Sequence, residues 1–371
     1  MRPGFNMTGN RGNMIHSEAI MRLLDRNGGR SASGNLVHVK KQLGDQFAEE
    51  MSRQFDIVVL SMANMVTKNR DHTLLVEALN ALDVPIYVFG VGMQDKLPEG
   101  AIDKLTPSTQ ELLKIFSKAE FFSVRGERTA AWLNSVGCPP HTVGGCPSLY
   151  AFPASVAGID YRNPPRREAL VTGGHISENN LNGTRPRFRR GTALIRAFRD
   201  TPASYVMQDE MFNYHDLVDV PGVFNPALDR LDAERLNTYI FEKLGVALPF
   251  QRYYFFDQPA AWRQAMVHYD AFVGDRFHGG VACLQVGVPA VFITSDQRMT
   301  ELSEYYGAPA TTFRDFDGTV EEVIPSMFTA ENHDRFHETY RERLAQFRQD
   351  MNDAGLKLAD DRPISEIARK P

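Results

Sequence analysis

Cysteine is scarce in this chain. Cys138, Cys146 and Cys283 are the only three in 371 residues, and they form neither a CxxC pair nor an even disulfide framework. That excludes a disulfide-stapled scaffold and makes a reducing compartment the expectation. A basic excess is also missing. Lys plus Arg is 41 against 46 Asp plus Glu, a net charge of −5. A nucleic-acid binder would carry a basic stripe, so no nucleic-acid partner is expected. The short basic run Arg185–Arg190 reads as a solvated loop or an anion contact. Long apolar runs are absent too: Ile57–Leu60 and Ala290–Ile293 are far too short to cross a bilayer. The opening MRPGFNMTGN has neither an apolar core nor a cleavage pattern, so no signal peptide is expected. The expected location is the cytoplasm, with peripheral contact at the inner face of the membrane should the substrate be lipid-linked. There is no GxSxG elbow and no HExxH helix. Asp275 and His278 have no further ligand cluster near them in sequence, so no metal is expected.

What is present is an ordinary globular composition, 43% hydrophobic and 23% charged, in a chain long enough for two cores. Short apolar runs alternate with segments of helical period. Strand candidates are Leu36–Val39, Asp56–Ser61, Ile86–Gly90 and Phe121–Val124, then Ala169–Thr172, Ser204–Gln208, Tyr253–Phe256, Ala271–Gly274 and Ala290–Thr294. Helical stretches such as Leu74–Leu82 and Gln110–Ala119 lie between them. Strands alternating with helices predict βαβ units and mainly parallel sheets. Two such series predict an α/β chain of two doubly wound domains, residues 1–162 and 166–330, with the linker at Tyr161-Arg162-Asn163-Pro164-Pro165; the pattern alone also fits a single barrel. In residues 331–371, a late helix over Glu331–Met351 places Phe336, Tyr340, Leu344, Phe347 and Met351 on one apolar stripe, which should pack back onto the domains.

Ligands in open α/β sheets bind beyond the C-terminal ends of strands, so polar residues there carry the functional reading. Four places qualify. In Ala271-Phe-Val-Gly-Asp-Arg-Phe-His-Gly-Gly280, Arg276 and His278 fall at a strand-to-helix turn. Free N–H groups and the helix dipole favour an anion there. Arginine adds a bidentate fork, and histidine a proton donor and acceptor with a reference pKa near neutrality. The bland alternative is an Arg–Asp surface pair and a capping histidine. Phe121-Phe-Ser-Val-Arg-Gly-Glu-Arg128 aims Arg125 into a cleft at another strand end, or places it in a structural salt bridge with Glu127. Thr8-Gly-Asn-Arg-Gly-Asn13 precedes a helix and suits close backbone approach to an anion or sugar hydroxyl, but it is neither a P-loop nor GxGxxG. Thr172-Gly-Gly-His175 and the segment ending at His215 follow two later strands, and both histidines read equally as loop residues. Cys146, in Val143-Gly-Gly-Cys-Pro147, reads as a small buried residue rather than a reactive thiol.

The Gly-Asp-Arg-Phe-His-Gly turn, followed by Gly287-Val-Pro289, resembles the C-terminal signature of the polysaccharide pyruvyl transferases. Ser123-Val-Arg125 is similar to that family's Ser-x-Arg element, Val143-Gly-Gly-Cys-Pro147 sits where it reads Gly-Asp-Pro, and Gly9-Asn-Arg-Gly-Asn13 resembles its Gly-Asn loop. The resemblance implies a GT-B-like fold, two Rossmann-like domains facing a cleft, with the acceptor on the N-terminal side and the donor on the C-terminal side. It implies transfer of the enolpyruvyl unit of phosphoenolpyruvate to a sugar of an exopolysaccharide or other cell-envelope glycan, with no cofactor beyond that co-substrate. It makes Arg276 and His278 catalytic. Arg125, Arg298, Gly9, Asn10, Gly12, Asn13, Gly173, Gly174 and His175 would bind substrate. Three positions depart from the family: Gly126 replaces an acidic residue, Cys146 an aspartate and Arg298 a lysine. Two other functions suit the same fold, a glycosyltransferase using a nucleotide sugar and a non-catalytic glycan-binding member.

Overall fold

The computed structural model describes residues 10–24, 31–174, 188–208, 222–225, 230–244, 247–294, 296–313, 318–360, 362 and 364–367. Gly9, His175 and His215 lie outside the described residues.

Two parallel sheets organise the chain. The first contains β1 (Val58–Ser61), β3 (Ile86–Met93), β4 (Phe121–Val124) and β5 (Thr142–Val143) in that spatial order, with β2 (Asn64–Val66) pairing the far end of β3. The second contains β6 (Leu170–Thr172), β7 (Ala203–Met207), β10 (Arg252–Phe255), β11 (Ala271–Gly274), β12 (Ala290–Thr294) and β13 (Ala310–Thr312). Its spatial order is β10-β7-β6-β11-β12-β13, and every pairing is parallel. Counted from β6, that is the order 3-2-1-4-5-6 of dinucleotide-binding folds, with the reversal between β6 and β11. A small antiparallel pair, β8 (Phe224–Asn225) and β9 (Arg230–Leu231), stands apart. The fold is thus α/β, as its alternating pattern predicts.

Strands such as Phe121–Val124 and Ala271–Gly274 are buried at every position, which is why they read as unbroken apolar runs. β3 runs three residues past its predicted end at Gly90. Gly90 has φ of +70°, and the β3–β4 register shifts between Val88 and Val91. This bulge re-aims the Gly90 carbonyl, with consequences for the site.

Leu36–Val39 is not a strand. It forms the start of helix α2 (Leu36–Leu43), because Asn35 accepts the His38 N–H at 3.2 Å as an N-cap. Leu36, Val39 and Leu43 then share one face against the first core. Local capping and packing outweigh the strand preference of its β-branched residues.

Helix α1 (Gly12–Leu23), the segment Cys146–Tyr161 and the late helix Ala330–Asp353 all pack in the second core, joined there by Phe89 and Phe121 of the first sheet. The late helix starts at the Thr329 cap and buries Phe336, Tyr340, Leu344, Phe347 and Met351. Phe347 stacks on Tyr150 at 4.3 Å, Phe336 meets Tyr161 at 5.3 Å, and the Tyr340 hydroxyl donates to the Leu149 carbonyl at 2.9 Å. The helix therefore clamps the Cys146–Tyr161 segment that passes between the sheets. Among the described residues, no helix is long and apolar enough to cross a membrane.

Candidate active site

The candidate side chains gather beyond the C-terminal ends of both sheets. Arg125 follows β4 directly and is 1% exposed. Its N–H donates to the Val91 carbonyl at 2.9 Å. Its Nε donates to the Gly90 carbonyl at 2.7 Å, and one terminal nitrogen to the Met62 carbonyl at 3.1 Å. The left-handed Gly90 presents the first of these acceptors. The other terminal nitrogen, Nη1, meets no hydrogen-bond partner among the described residues. Burial, then repulsion from Arg298, weakens the hold of Arg125 on its proton, against attraction from Cys146.

Across the cleft, Arg276 and His278 begin the helix Phe277–Leu284 after β11, at the point where the strand order reverses. Arg276 donates from Nε to the Gly174 carbonyl at 3.3 Å. That glycine turn is fixed by Tyr205, whose hydroxyl accepts the Gly174 N–H at 3.1 Å and donates to the Gly174 carbonyl at 2.6 Å. Arg276 and Asp275 are both buried, which does not fit an Arg–Asp surface pair, and His278 is buried in the first turn of its helix. His278 has Nε2 3.6 Å from the sulfur of Cys146. Burial drives its pKa well below the usual histidine value, helped by His16, Arg125 and Arg298. Its reference pKa near neutrality therefore does not hold here: the free protein keeps this imidazole neutral.

Arg298 occupies the second position of the helix Gln297–Tyr306, which Asp296 caps by accepting the Met299 N–H at 2.9 Å. One terminal nitrogen lies 3.8 Å from Asp296, and its Nε has no hydrogen-bond partner among the described residues. The same helix sends the Tyr306 hydroxyl to the Cys146 carbonyl at 2.8 Å and the Tyr305 hydroxyl to that of Val143 at 2.6 Å.

The glycine loop closes the site from a third side. Asn10 accepts the Gly12 N–H at 2.8 Å, and the Asn13 N–H donates to the Asn10 carbonyl at 3.1 Å. A Cβ on Gly12 would lie 2.4 Å from Gln208 Oε1 and 3.0 Å from His278 Cβ, so only glycine lets α1 approach this closely. The structure thus brings Arg125, Arg276, Arg298, His278, Gly173, Gly174 and the Asn10–Asn13 loop to one cleft.

Sequence reasoning misses His16 of α1. Its ring sits 5.1 Å from that of His278, tilted by 32°. The Ser61 hydroxyl donates to the His16 carbonyl at 3.0 Å, so its oxygen accepts from His16 Nδ1 at 2.9 Å. Nε2 is then the lone-pair acceptor of that ring. Burial, and secondarily Arg125, lowers its pKa to about 3. Only its place just after the Gly-Asn loop could have flagged it, because Ile15, Ala19, Ile20 and Leu23 make that helix face look like core. Cys146 is buried as expected, yet its sulfur contacts both His278 and, at 3.0 Å, the Ser148 hydroxyl. A groove of about 460 Å³ lined by Pro85, Ile86, Lys114 and Lys118 lies at the opposite ends of the strands and brings none of these groups together.

A family model for polysaccharide pyruvyl transferase matches residues 10–297. The chain belongs to that family. Its transferase character follows from membership, and the matched span contains the whole cluster except Arg298. No curated protein matches this pyruvyl transferase family member. Solved structures that resemble it are distant. The UDP-GlcNAc 2-epimerase of Neisseria meningitidis bound to UDP-GlcNAc is 10% identical over 86% of this chain and 84% of its own, with a TM-score of 0.42. The UDP-GlcNAc 2-epimerase of Methanocaldococcus jannaschii is 11% identical over 85% and 84%, with a TM-score of 0.41. The S. aureus MnaA–UDP structure is 11% identical over 86% and 83%, with a TM-score of 0.44. Likeness at this distance carries no argument about donor or reaction.

Proposed function

We propose that this protein transfers the enolpyruvyl unit of phosphoenolpyruvate to a sugar of a glycan or glycan precursor, forming a pyruvate ketal and releasing phosphate. One observation carries the reading. Two largely buried guanidiniums, Arg125 and Arg298, each keep an N–H without a partner among the described residues, and His278 feels the charge of both. A buried N–H donor left without an acceptor is costly, and a small donor carrying both a phosphate and a carboxylate relieves that cost at two places.

The chemistry needs one proton given and others taken. Protonation of the donor's methylene carbon makes a methyl group and leaves positive charge on C2. A sugar hydroxyl attacks C2 and surrenders its proton. The C2–O bond to phosphate breaks, phosphate leaves with the bonding pair, and a second hydroxyl closes the ketal, its proton passing to phosphate or a base. An anionic donor beside His278 opposes the burial and the positive neighbours that depress its pKa, which favours protonation of His278 as the donor enters. His16 Nε2, neutral and unprotonated, is the second base in reach of the cluster. Arg125, Arg276 and Arg298 stabilise the departing phosphate, a role worth about 3–4 kcal/mol per well-placed donor. Gly173, Gly174 and the Asn10–Asn13 loop line the rim, their turns held by the bonds that the Gly174, Gly12 and Asn13 N–H groups make within the protein. These steps call for no cofactor.

Calorimetric binding of phosphoenolpyruvate, set against a panel of nucleotide sugars, tests the reading with wild type and Arg298→Ala. Selective binding of phosphoenolpyruvate, lost in the variant, is expected. Selective binding of a nucleotide sugar would overturn the proposal in favour of a glycosyltransferase. Binding of neither, with glycan present, would indicate a non-catalytic member.

A further inference from the structure

Helix α6 (Glu127–Ser135) begins at an N-cap, Gly126, that has no side chain to offer its first turn. The Gly126 backbone is extended, a conformation open to any residue. What excludes a side chain there is another residue. A Cβ on Gly126 would lie 2.1 Å from Cγ of Glu301 and 2.6 Å from its Cδ.

Glu301 comes from the opposite side of the cleft, in the helix Gln297–Tyr306, and is 4% exposed. Its Oε1 accepts the Thr129 N–H at 2.8 Å, and its Oε2 accepts the Thr129 hydroxyl at 3.0 Å. Thr129 holds the third helical position, whose N–H an N-cap Asp or Ser side chain ordinarily receives. The cap of α6 is therefore delivered in trans. Burial pushes the Glu301 carboxyl up, and only the bonds from Thr129 and the charge and N–H of Arg128 oppose it. A cap alone would not require this arrangement, since an aspartate at position 126 makes one locally. The adjacent Arg128–Glu304 pair, 3.0 Å apart, is exposed on both sides and contributes little.

The placement of Glu301 gives the arrangement its consequence. It lies three residues past Arg298, on the same helix face. Tyr305 and Tyr306 also cross the cleft, but a turn further along. Thr129, in turn, sits in the first turn after Arg125. One carboxylate thus joins the two segments that carry Arg125 and Arg298. We propose that Glu301 is a positioning residue: by capping α6 from the far side of the cleft, it holds Arg298 in register with Arg125 and so sets the geometry of the anion site. The identity of that anion rests on the proposed donor, but the positioning does not.

The test compares wild type, Glu301→Ala and the double variant Gly126→Asp/Glu301→Ala, in which the cap is restored locally without crossing the cleft. Amide hydrogen exchange reads the two segments without any ligand, and calorimetry reads phosphoenolpyruvate. Glu301→Ala should speed exchange in residues 127–130 and in residues 298–302, and weaken phosphoenolpyruvate binding about tenfold or more. The double variant should recover protection at 127–130 alone, with 298–302 still fast and binding still weak. Recovery of all three readouts would reduce Glu301 to a helix cap and overturn the proposal. So would unchanged exchange at 298–302 in the single variant. If wild type binds no phosphoenolpyruvate, the functional reading fails, while exchange at 298–302 still decides the role of Glu301.

Discussion

The sulfur of Cys146, at the position where the family resemblance implies an aspartate, lies 3.6 Å from Nε2 of His278. A carboxylate there would favour the imidazolium, whereas the cysteine leaves burial and the neighbouring arginines to keep His278 neutral. Cys146→Asp should therefore raise the pKa of His278, and Cys146→Ser should leave it depressed. Two-dimensional NMR of the histidine ring carbons across pH reads this directly. Because His278 gives a proton in the proposed reaction, the Asp variant should also move the alkaline limb of the pH–rate profile upward. An unmoved His278 titration in Cys146→Asp would show that position 146 does not tune it.

On the proposed function, donor entry and protonation should be linked. The free-state pKa values of His278 and His16 are depressed, and an anion beside them raises the bound-state values. The bound state therefore holds more protons than the free state at intermediate pH, so binding takes up protons and affinity rises as pH falls. Calorimetry of phosphoenolpyruvate in buffers of differing ionisation enthalpy should report net proton uptake. His278→Gln should reduce that uptake.

Much of the site was legible because its residues end strands that are themselves plain in the sequence. Arg125 follows Phe121–Val124, and Arg276 and His278 follow Ala271–Gly274, runs made continuous by burial on both faces. The two-residue β5 and the three-residue β2 and β13 were too short to leave a pattern. Leu36–Val39 misled because its branched residues suit a strand, while the decisive Asn35 cap is a single side chain. His16 was hidden by its apolar helix neighbours. Glu301 was hidden by distance, since its partner Thr129 is 172 residues away and no local rule connects a glycine N-cap to a remote carboxylate.

His16 also makes stability depend on pH. Its folded pKa is about 3, and its unfolded reference is 6.5. The unfolded chain binds the extra proton throughout that window, so stability is full above about pH 6.5 and falls as pH drops toward 3. His16→Asn should flatten that part of the profile of thermal midpoint against pH. An unchanged slope between pH 6.5 and 4 would mean that other groups carry it; Glu18, where burial is outweighed by Arg263 and Arg22, and Asp160, lowered by Arg162, contribute to the background slope.

The two cleft arginines should respond differently to lysine. Arg125 commits Nε to Gly90 and Nη2 to Met62, leaving Nη1 without a hydrogen-bond partner among the described residues. A lysine ammonium cannot span both carbonyls and still present a third donor in the same plane. Arg125→Lys should therefore leave a buried carbonyl unsatisfied, at about 1–3 kcal/mol of stability, and weaken donor binding as well. Arg298 lies 3.8 Å from Asp296, and its Nε has no hydrogen-bond partner among the described residues. Arg298→Lys, which restores the residue type usual in the family, should leave the denaturation midpoint near wild type and change mainly donor affinity. Chemical denaturation and calorimetry on both variants separate the two effects. Equal losses of stability in the two variants would mean that Arg298 is structural, and would remove it from the anion site.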